Sequence, residues 1–150
     1  MPRAFTQCFL HLVFSTKRRE PWITTDLEPR LFEFIGGILR DLGCSAVAID
    51  GAPDHIHLLV QAPPAISMAD IVRHVKSRSS KWMHETFPSL RNFAWQEGYG
   101  GFTVSTSQAG VVKSYIQEQK VHHRSRDFCE EFLLLLRRHR LAHDEAEVFE

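Results

Sequence analysis

The chain has 150 residues, of which 43% are hydrophobic, so it is long enough to bury one core and too short for two ordinary domains. Its 18 basic and 18 acidic residues cancel to zero formal net charge, which excludes the overall basic excess typical of nucleic-acid binders and leaves such a role to local clusters. Three widely spaced cysteines favour a reducing cytoplasm, and no apolar stretch approaches the length of a membrane span. We therefore expect one soluble cytoplasmic domain over residues 1–150, without a membrane partner.

Apolar periodicity and turn residues predict the following elements in chain order. The first half contains a strand at residues 9–14, a helix at 26–42 ended by Gly43, a hairpin of strands at 46–49 and 55–60 around a turn at 50–54, and a helix at 67–84 opened by Ser67 and Asp70. The second half contains a strand at 102–105, a helix after Gly110, a helix at about 127–140 and a charged tail at 144–150.

The order strand, helix, strand, strand, helix, strand is that of an α+β ferredoxin-like antiparallel sheet, here with appended C-terminal helices. In that architecture the two principal helices cover one face of the sheet. We therefore expect the other face to be open to a partner subunit, a nucleic acid or a substrate, and functional residues to lie there.

His55 and His57 alternate along the second hairpin strand and therefore point to one side, whereas Ile56, Leu58 and Val60 point to the other. Because the apolar set belongs under the helices, both imidazoles are expected on the open face. Neighbouring imidazoles chelate divalent metals through neutral nitrogens. With nine histidines in the chain such a pair also arises by chance, so two exposed strand histidines remain an equal alternative.

Tyr115 and Gln119 are four residues apart on a predicted helix, so their side chains project from one face within about 6 Å of each other. That face presents a nucleophile and a metal ligand together, because a metal that polarises a phosphate compensates for the weak nucleophilicity of a phenol. Taken singly, a helical tyrosine is more often a core or rim residue.

Two basic segments are candidate nucleic-acid contacts. The second helix offers Arg73, Lys76, Arg78, Lys81 and Trp82, and the first strand is followed by Lys17, Arg18 and Arg19. Such cations contact phosphates, and an exposed tryptophan stacks on an unpaired base. A basic helix face is, however, more often simply exposed to solvent. A similar cluster, which either contacts phosphate or merely ends a helix, consists of His122, His123, Arg124 and Arg126.

Together these segments are more specific than any one of them. The strand from Asp54 to Val60, the basic helix end from Arg78 to Trp82, the aromatic and glycine tract from Phe93 to Phe102, and Tyr115 with Gln119 resemble the HUH-type single-tyrosine transposases of the insertion sequence 200/605 family. The resemblance covers nearly the whole chain, and its discriminating part is the histidine pair with the helical tyrosine.

The resemblance implies a ferredoxin-like enzyme that nicks and rejoins single-stranded DNA at the hairpin ends of a mobile element. On this sequence, His55, His57 and Gln119 would hold Mg²⁺ or Mn²⁺, and Tyr115 would attack the scissile phosphate to give a 5′-phosphotyrosine and a free 3′-hydroxyl. It also implies a homodimer with shared active sites, in which Gly110 would let the tyrosine helix swing between subunits.

Three alternatives stay open. Relatives associated with repeated extragenic palindromes are domesticated and behave as monomers, which concerns mobility and dimerisation more than nicking. A histidine-triad nucleotide hydrolase also uses strand histidines, but it requires a third one where this chain has Leu59. A non-catalytic nucleic-acid-binding domain would use the basic helix and the aromatic residues alone.

Overall fold

The computed structural model describes residues 4–122, 126–144 and 148–149. Its sheet has four strands, namely β1 (Cys8–Ser15), β2 (Ser45–Ala52), β3 (His55–Ala62) and β4 (Gly100–Val104). They are arranged in the order β2-β3-β1-β4, and each neighbouring pair is antiparallel. This topology confirms the predicted α+β ferredoxin-like sheet.

The helices described are α1 (Leu27–Asp41), α2 (Met68–Thr86), α3 (Ala109–Gln117), α4 (Gln119–His122) and α5 (Phe128–Arg138). Single 3₁₀ turns cover Lys17–Arg19, Pro88–Leu90 and Thr106–Gln108. No helix within the described ranges is both long and apolar enough to cross a membrane.

Local signals in the sequence set several helix ends. The Ser67 side chain accepts a hydrogen bond from the Asp70 amide at 3.0 Å, which confirms the predicted cap of α2. Gly43 follows α1 with a φ of +78°, a conformation that a side chain would strain. The Asp127 side chain accepts from the Glu130 amide at 2.8 Å and thereby caps α5.

The main core lies between the sheet and the pair α1 and α2. From β3 it receives Ile56, Leu58 and Val60, as strand alternation predicts. The strand β1 contributes Leu10, Leu12 and Phe14, and α1 contributes Leu31, Ile35, Ile38 and Leu39. The tract that follows α2 also belongs to this core, because Trp95 packs edge-on against Phe14 with 5.0 Å between ring centroids.

The opposite face of the sheet is covered, so the prediction of an open face was wrong. The helix α5 packs Phe128 and Phe132 against Val13 of β1 and Phe102 of β4, and α3 packs Ile116 against β2 and β3. The physical reason is that α5 has an apolar face, which is removed from water only when the helix packs on the sheet. Of the predicted charged tail, Phe149 packs on the same cluster, while residues 145–147 and 150 lie outside the described ranges.

Two expectations about the tyrosine helix also need correction. Tyr115 and Gln119 do not share a helix, because α3 ends at Gln117 and α4 begins at Gln119, with Glu118 at a non-helical φ of −104° and ψ of 20° between them. Gly110 is the second residue of α3 and not a separate hinge ahead of it.

Gly51, in the hairpin of β2 and β3, has no room for a side chain. A Cβ atom there would lie 2.2 Å from the carbonyl oxygen of His55. Because the obstacle is backbone, we expect Gly51→Ala to lower the free energy of unfolding by about 1–3 kcal/mol, measured by urea denaturation. The matched control is Gly110→Ala, where a Cβ atom meets nothing within 4 Å and the change should instead stabilise the helix. Equal stability of parent and Gly51→Ala would contradict this account.

Candidate active site

The histidine pair lies between the sheet and α5. His55 and His57 are both 0% exposed, so they are neither solvent-facing strand residues nor groups on an open surface. Their neighbours on the covered face are the rings of Phe128, 4.7 Å from His55, and of Tyr115, 6.0 Å from His57, measured between centroids. The two histidines are therefore part of a buried cluster whose members must satisfy one another.

Glu131 of α5 is at the centre of this cluster. Its Oε1 atom lies 2.7 Å from Nε2 of His57 and 3.4 Å from Nε2 of His55, and the residue is only 1% exposed. Its Oε2 atom accepts a short hydrogen bond from the Tyr115 hydroxyl. One carboxylate thus connects both histidines to the candidate nucleophile.

The second nitrogen of each imidazole is also held. Nδ1 of His55 donates to Oδ1 of Asp54 at 2.8 Å, and Nδ1 of His57 is 2.8 Å from Nε2 of His11 on β1. These contacts fix both ring orientations and direct both Nε2 atoms to the same point. Partners of this kind orient metal-binding histidines in proteins.

Gln119 reaches the same point from the short helix α4. It is 0% exposed, and its Oε1 atom lies 3.3 Å from Nε2 of His55. The structure therefore brings together all four residues that the sequence analysis singled out for chemistry, namely His55, His57, Tyr115 and Gln119. It does so although Gln119 is on a different helix from Tyr115.

Burial and charge set the protonation of the cluster. Burial, reinforced by the neighbouring His57, lowers the pKa of His11 to about 3, so His11 is neutral at physiological pH. Burial disfavours the charged form of His55 too, but its hydrogen bonds to Asp54 and Glu131 outweigh that effect and raise its pKa to about 9. Burial and the contact with Glu131 raise the pKa of Tyr115, so its phenol is held neutral.

The donor set suits a divalent cation. One ligand atom each from His55, His57 and Glu131 lies within 4.8 Å of the other two. Two imidazole nitrogens with oxygen donors from a carboxylate and an amide are ligands that Mn²⁺ accepts, and Mg²⁺ shares the oxygen preference.

The predicted DNA contacts are divided between two regions. Lys17, Arg18 and Arg19 follow β1 at the end of the sheet that carries the site, where the Thr16 amide bonds to the Asp54 carbonyl at 2.8 Å. The α2 residues lie on the helix layer, across the sheet from the histidines, and consist of Arg73, Lys76, Arg78, Lys81 and Trp82.

Most of the α2 cations contact their own chain. Arg73 and Arg78 pair with Asp70 and Asp41, and Lys76 donates to backbone carbonyls of the tract after α2. Trp82 is stacked on Phe34 of α1, with 4.6 Å between ring centroids. In the third cluster, residues 123–125 lie outside the described ranges.

That Glu131, His11 and Asp54 join the histidine cluster was not predicted from the sequence. His11 had one available signal, since it alternates with Leu10 and Leu12 and so faces the same side of the sheet as the histidine pair. Asp54 directly precedes the histidine strand. Glu131 is one of two acidic residues in the first turn of α5, where helix-dipole effects alone explain an acid.

The comparisons with known proteins point to one family. Residues 4–119 match the family described as IS200-like transposases. The ISDra2 transposase TnpA of Deinococcus radiodurans is 26% identical over 73% of this chain and 81% of its own, and the IS200 transposase of Salmonella typhimurium is 28% identical over 76% and 80%.

Two solved structures share the fold. The crystal structure of a protein assigned as a transposase from Deinococcus radiodurans R1 superposes with a TM-score of 0.65 at 27% identity, covering 79% of this chain and 96% of that one. A REP-associated tyrosine transposase bound to a REP hairpin has a TM-score of 0.62 at 18% identity, covering 82% and 73%.

The fold and these relatives define the class of protein, an enzyme of DNA transposition. Since the family match spans more than half of its residues, the chain belongs to the IS200-like transposase family. The resemblance seen in the sequence is thereby confirmed.

The low pKa of His11 makes stability depend on pH on the acid side. In the unfolded chain a histidine takes up a proton near pH 6.5, whereas folded His11 does so only near pH 3. Between these values the unfolded state binds the extra proton, so stability falls as pH falls, by up to about 1.4 kcal/mol per pH unit. We expect His11→Gln to flatten this decline in urea denaturation with chelator present. His143→Gln, at an exposed position, is the control and should keep the parent slope.

Proposed function

We propose that the protein nicks and rejoins single-stranded DNA through a covalent 5′-phosphotyrosine, with Tyr115 as nucleophile and His55, His57 and Gln119 as ligands of Mn²⁺ or Mg²⁺. The observation that carries the proposal is the convergence of the Tyr115 hydroxyl with two buried imidazoles in one chain, at 6.0 Å between the rings of Tyr115 and His57.

The covalent step conserves its bonds and needs no outside energy source. The Tyr115 oxygen bonds to phosphorus, the bond from phosphorus to the 3′ oxygen breaks, and the phenolic hydrogen ends on the released 3′-hydroxyl. Reversal by a second 3′-hydroxyl rejoins the strand, since the phosphodiester energy is kept in the link. The cation would supply polarisation of the phosphate and neutralise developing charge.

The chain's own residues prepare the site for this step. The Asp54 carboxylate accepts a hydrogen bond from Nδ1 of His55, so a proton stays on Nδ1 and Nε2 is the nitrogen that would bind the cation once its own proton has left. His11, kept neutral by burial, has its Nε2 atom 2.8 Å from Nδ1 of His57, and this hydrogen bond fixes the orientation of the His57 ring. Both imidazoles are therefore oriented before any ligand binds.

The substrate we propose is single-stranded DNA next to a hairpin. The REP-associated relative is bound to such a hairpin, and the basic run Lys17, Arg18 and Arg19 lies at the end of the sheet near the site. We assign phosphate contacts to this run, and more distant contacts to the α2 residues Arg73, Lys76, Arg78, Lys81 and Trp82. Three free cysteines and this substrate favour the cytoplasm as the compartment.

Formation of a covalent protein–DNA adduct tests whether Tyr115 is the nucleophile. With Mn²⁺ and labelled single strands carrying candidate element ends, the parent should form a protein–DNA complex that survives denaturing electrophoresis. Tyr115→Phe should lose the adduct and keep its fold, because only a hydroxyl is removed. Tyr99→Phe, which alters the other tyrosine of the chain, is the control and should form the adduct.

Two results would contradict the proposal. An adduct formed by Tyr115→Phe would show that another residue is the nucleophile. Failure of the parent to form any adduct with the cognate strands and active metal would leave DNA binding without the proposed chemistry.

We also propose a homodimer. In the described sheet β2 and β4 are the edge strands, and edge strands offer backbone groups with which a second copy can pair. Light scattering at micromolar concentration should give about twice the 17.3 kDa chain mass. A monomer mass would exclude the dimer and leave the nicking chemistry intact, because the tyrosine and histidines of one chain already meet.

A further inference from the structure

The helix α5 supplies the site with a carboxylate from outside residues 4–119, which match the family. The family match ends at residue 119, whereas Glu131 lies in α5. The helix is anchored on the sheet by Phe128, Phe132, Leu135 and Leu136, and Glu131 is on the same buried face. The position of the carboxylate is therefore determined by packing and not by a flexible tail.

The two oxygens of Glu131 have different partners. Oε1 faces the Nε2 atoms of His57 and His55, at 2.7 and 3.4 Å, which are the nitrogens that would bind the cation. Oε2 accepts from the hydroxyl of Tyr115. A carboxylate placed in this way joins the candidate metal position to the nucleophile through a single rigid group.

The charge of Glu131 also matters for the cation. Bound to a cation, His55, His57 and Gln119 would be neutral ligands, and a site of neutral ligands holds a hard divalent ion weakly. A carboxylate at 1% exposure brings a negative charge into the same space, where little water screens it. It thus supplies the negative charge that His55, His57 and Gln119 lack.

We propose that Glu131 is a ligand of the divalent cation and, through its second oxygen, the positioning residue for Tyr115. The inference rests on the proposed metal-dependent function and adds to it a ligand that the family-matched region does not contain. The C-terminal helix is in this account a part of the active site.

The test is Mn²⁺ affinity, measured by calorimetry on the full chain without DNA. Glu131→Gln keeps the shape and removes the charge, and we expect it to weaken binding at least about tenfold, the loss that even an outer partner of a metal ligand causes. Glu130→Gln, the exposed neighbour on the same helix, is the matched control and should bind like the parent. Glu131→Asp should retain more affinity than Glu131→Gln, and Tyr115→Phe should bind close to the parent value.

The outcomes separate this inference from the proposed function. If His57→Ala loses Mn²⁺ while Glu131→Gln and Glu131→Asp bind as the parent does, the metal site stands and the Glu131 assignment is overturned. Tighter binding by Glu131→Gln also overturns it, because the carboxylate would then occupy space that the ion needs. A parent that binds no Mn²⁺ overturns both. Circular dichroism confirms that each variant compared is folded.

Discussion

The alternation of side chains along β3 is the constraint on which the rest of the molecule depends. Ile56 and Leu58 enter the core under α1 and α2, so His55 and His57 must enter the layer on the other side. A one-residue shift in register would exchange the two sets and put imidazoles into an apolar core. The apolar side of the strand therefore fixes the position of the histidines more firmly than the histidines do themselves.

Because α3 and α5 cover the face of the sheet that carries the histidines, the polar groups on that face need partners inside the protein. His11, His57, Glu131 and Tyr115 form a continuous hydrogen-bonded chain across β1, β3, α5 and α3. Removing one member leaves another buried without its partner, which is costly where water does not enter. Stability and function are consequently coupled here, and substitutions in the site need a folding control.

The sequence was informative where the relevant pattern is local. Periodicity predicted the sheet, the two principal helices and the direction in which His55 and His57 point, and family resemblance singled out Tyr115 and Gln119 as candidate site residues. The sequence was uninformative where the position of a side chain depends on packing between distant segments. The amphipathic pattern of α5 shows that one face is buried but not against which surface, so Glu131 looked like an ordinary acidic residue at a helix start. Likewise, the charges of Arg73 and Arg78 were evident, whereas their partners Asp70 and Asp41 were not.

The position of α5 has a consequence for the order in which the protein matures during synthesis. Glu131 follows its partner His57 by 74 residues, and all four strands precede α3, so the sheet is complete in the growing chain before α5 has been made. Chains fold from the N-terminus as they emerge, and long-range contacts form late. A ribosome-bound chain thus has the histidine pair on an uncovered sheet, and the cluster closes only after α5 has been made. Truncated products would share the sheet of the enzyme and lack its buried carboxylate.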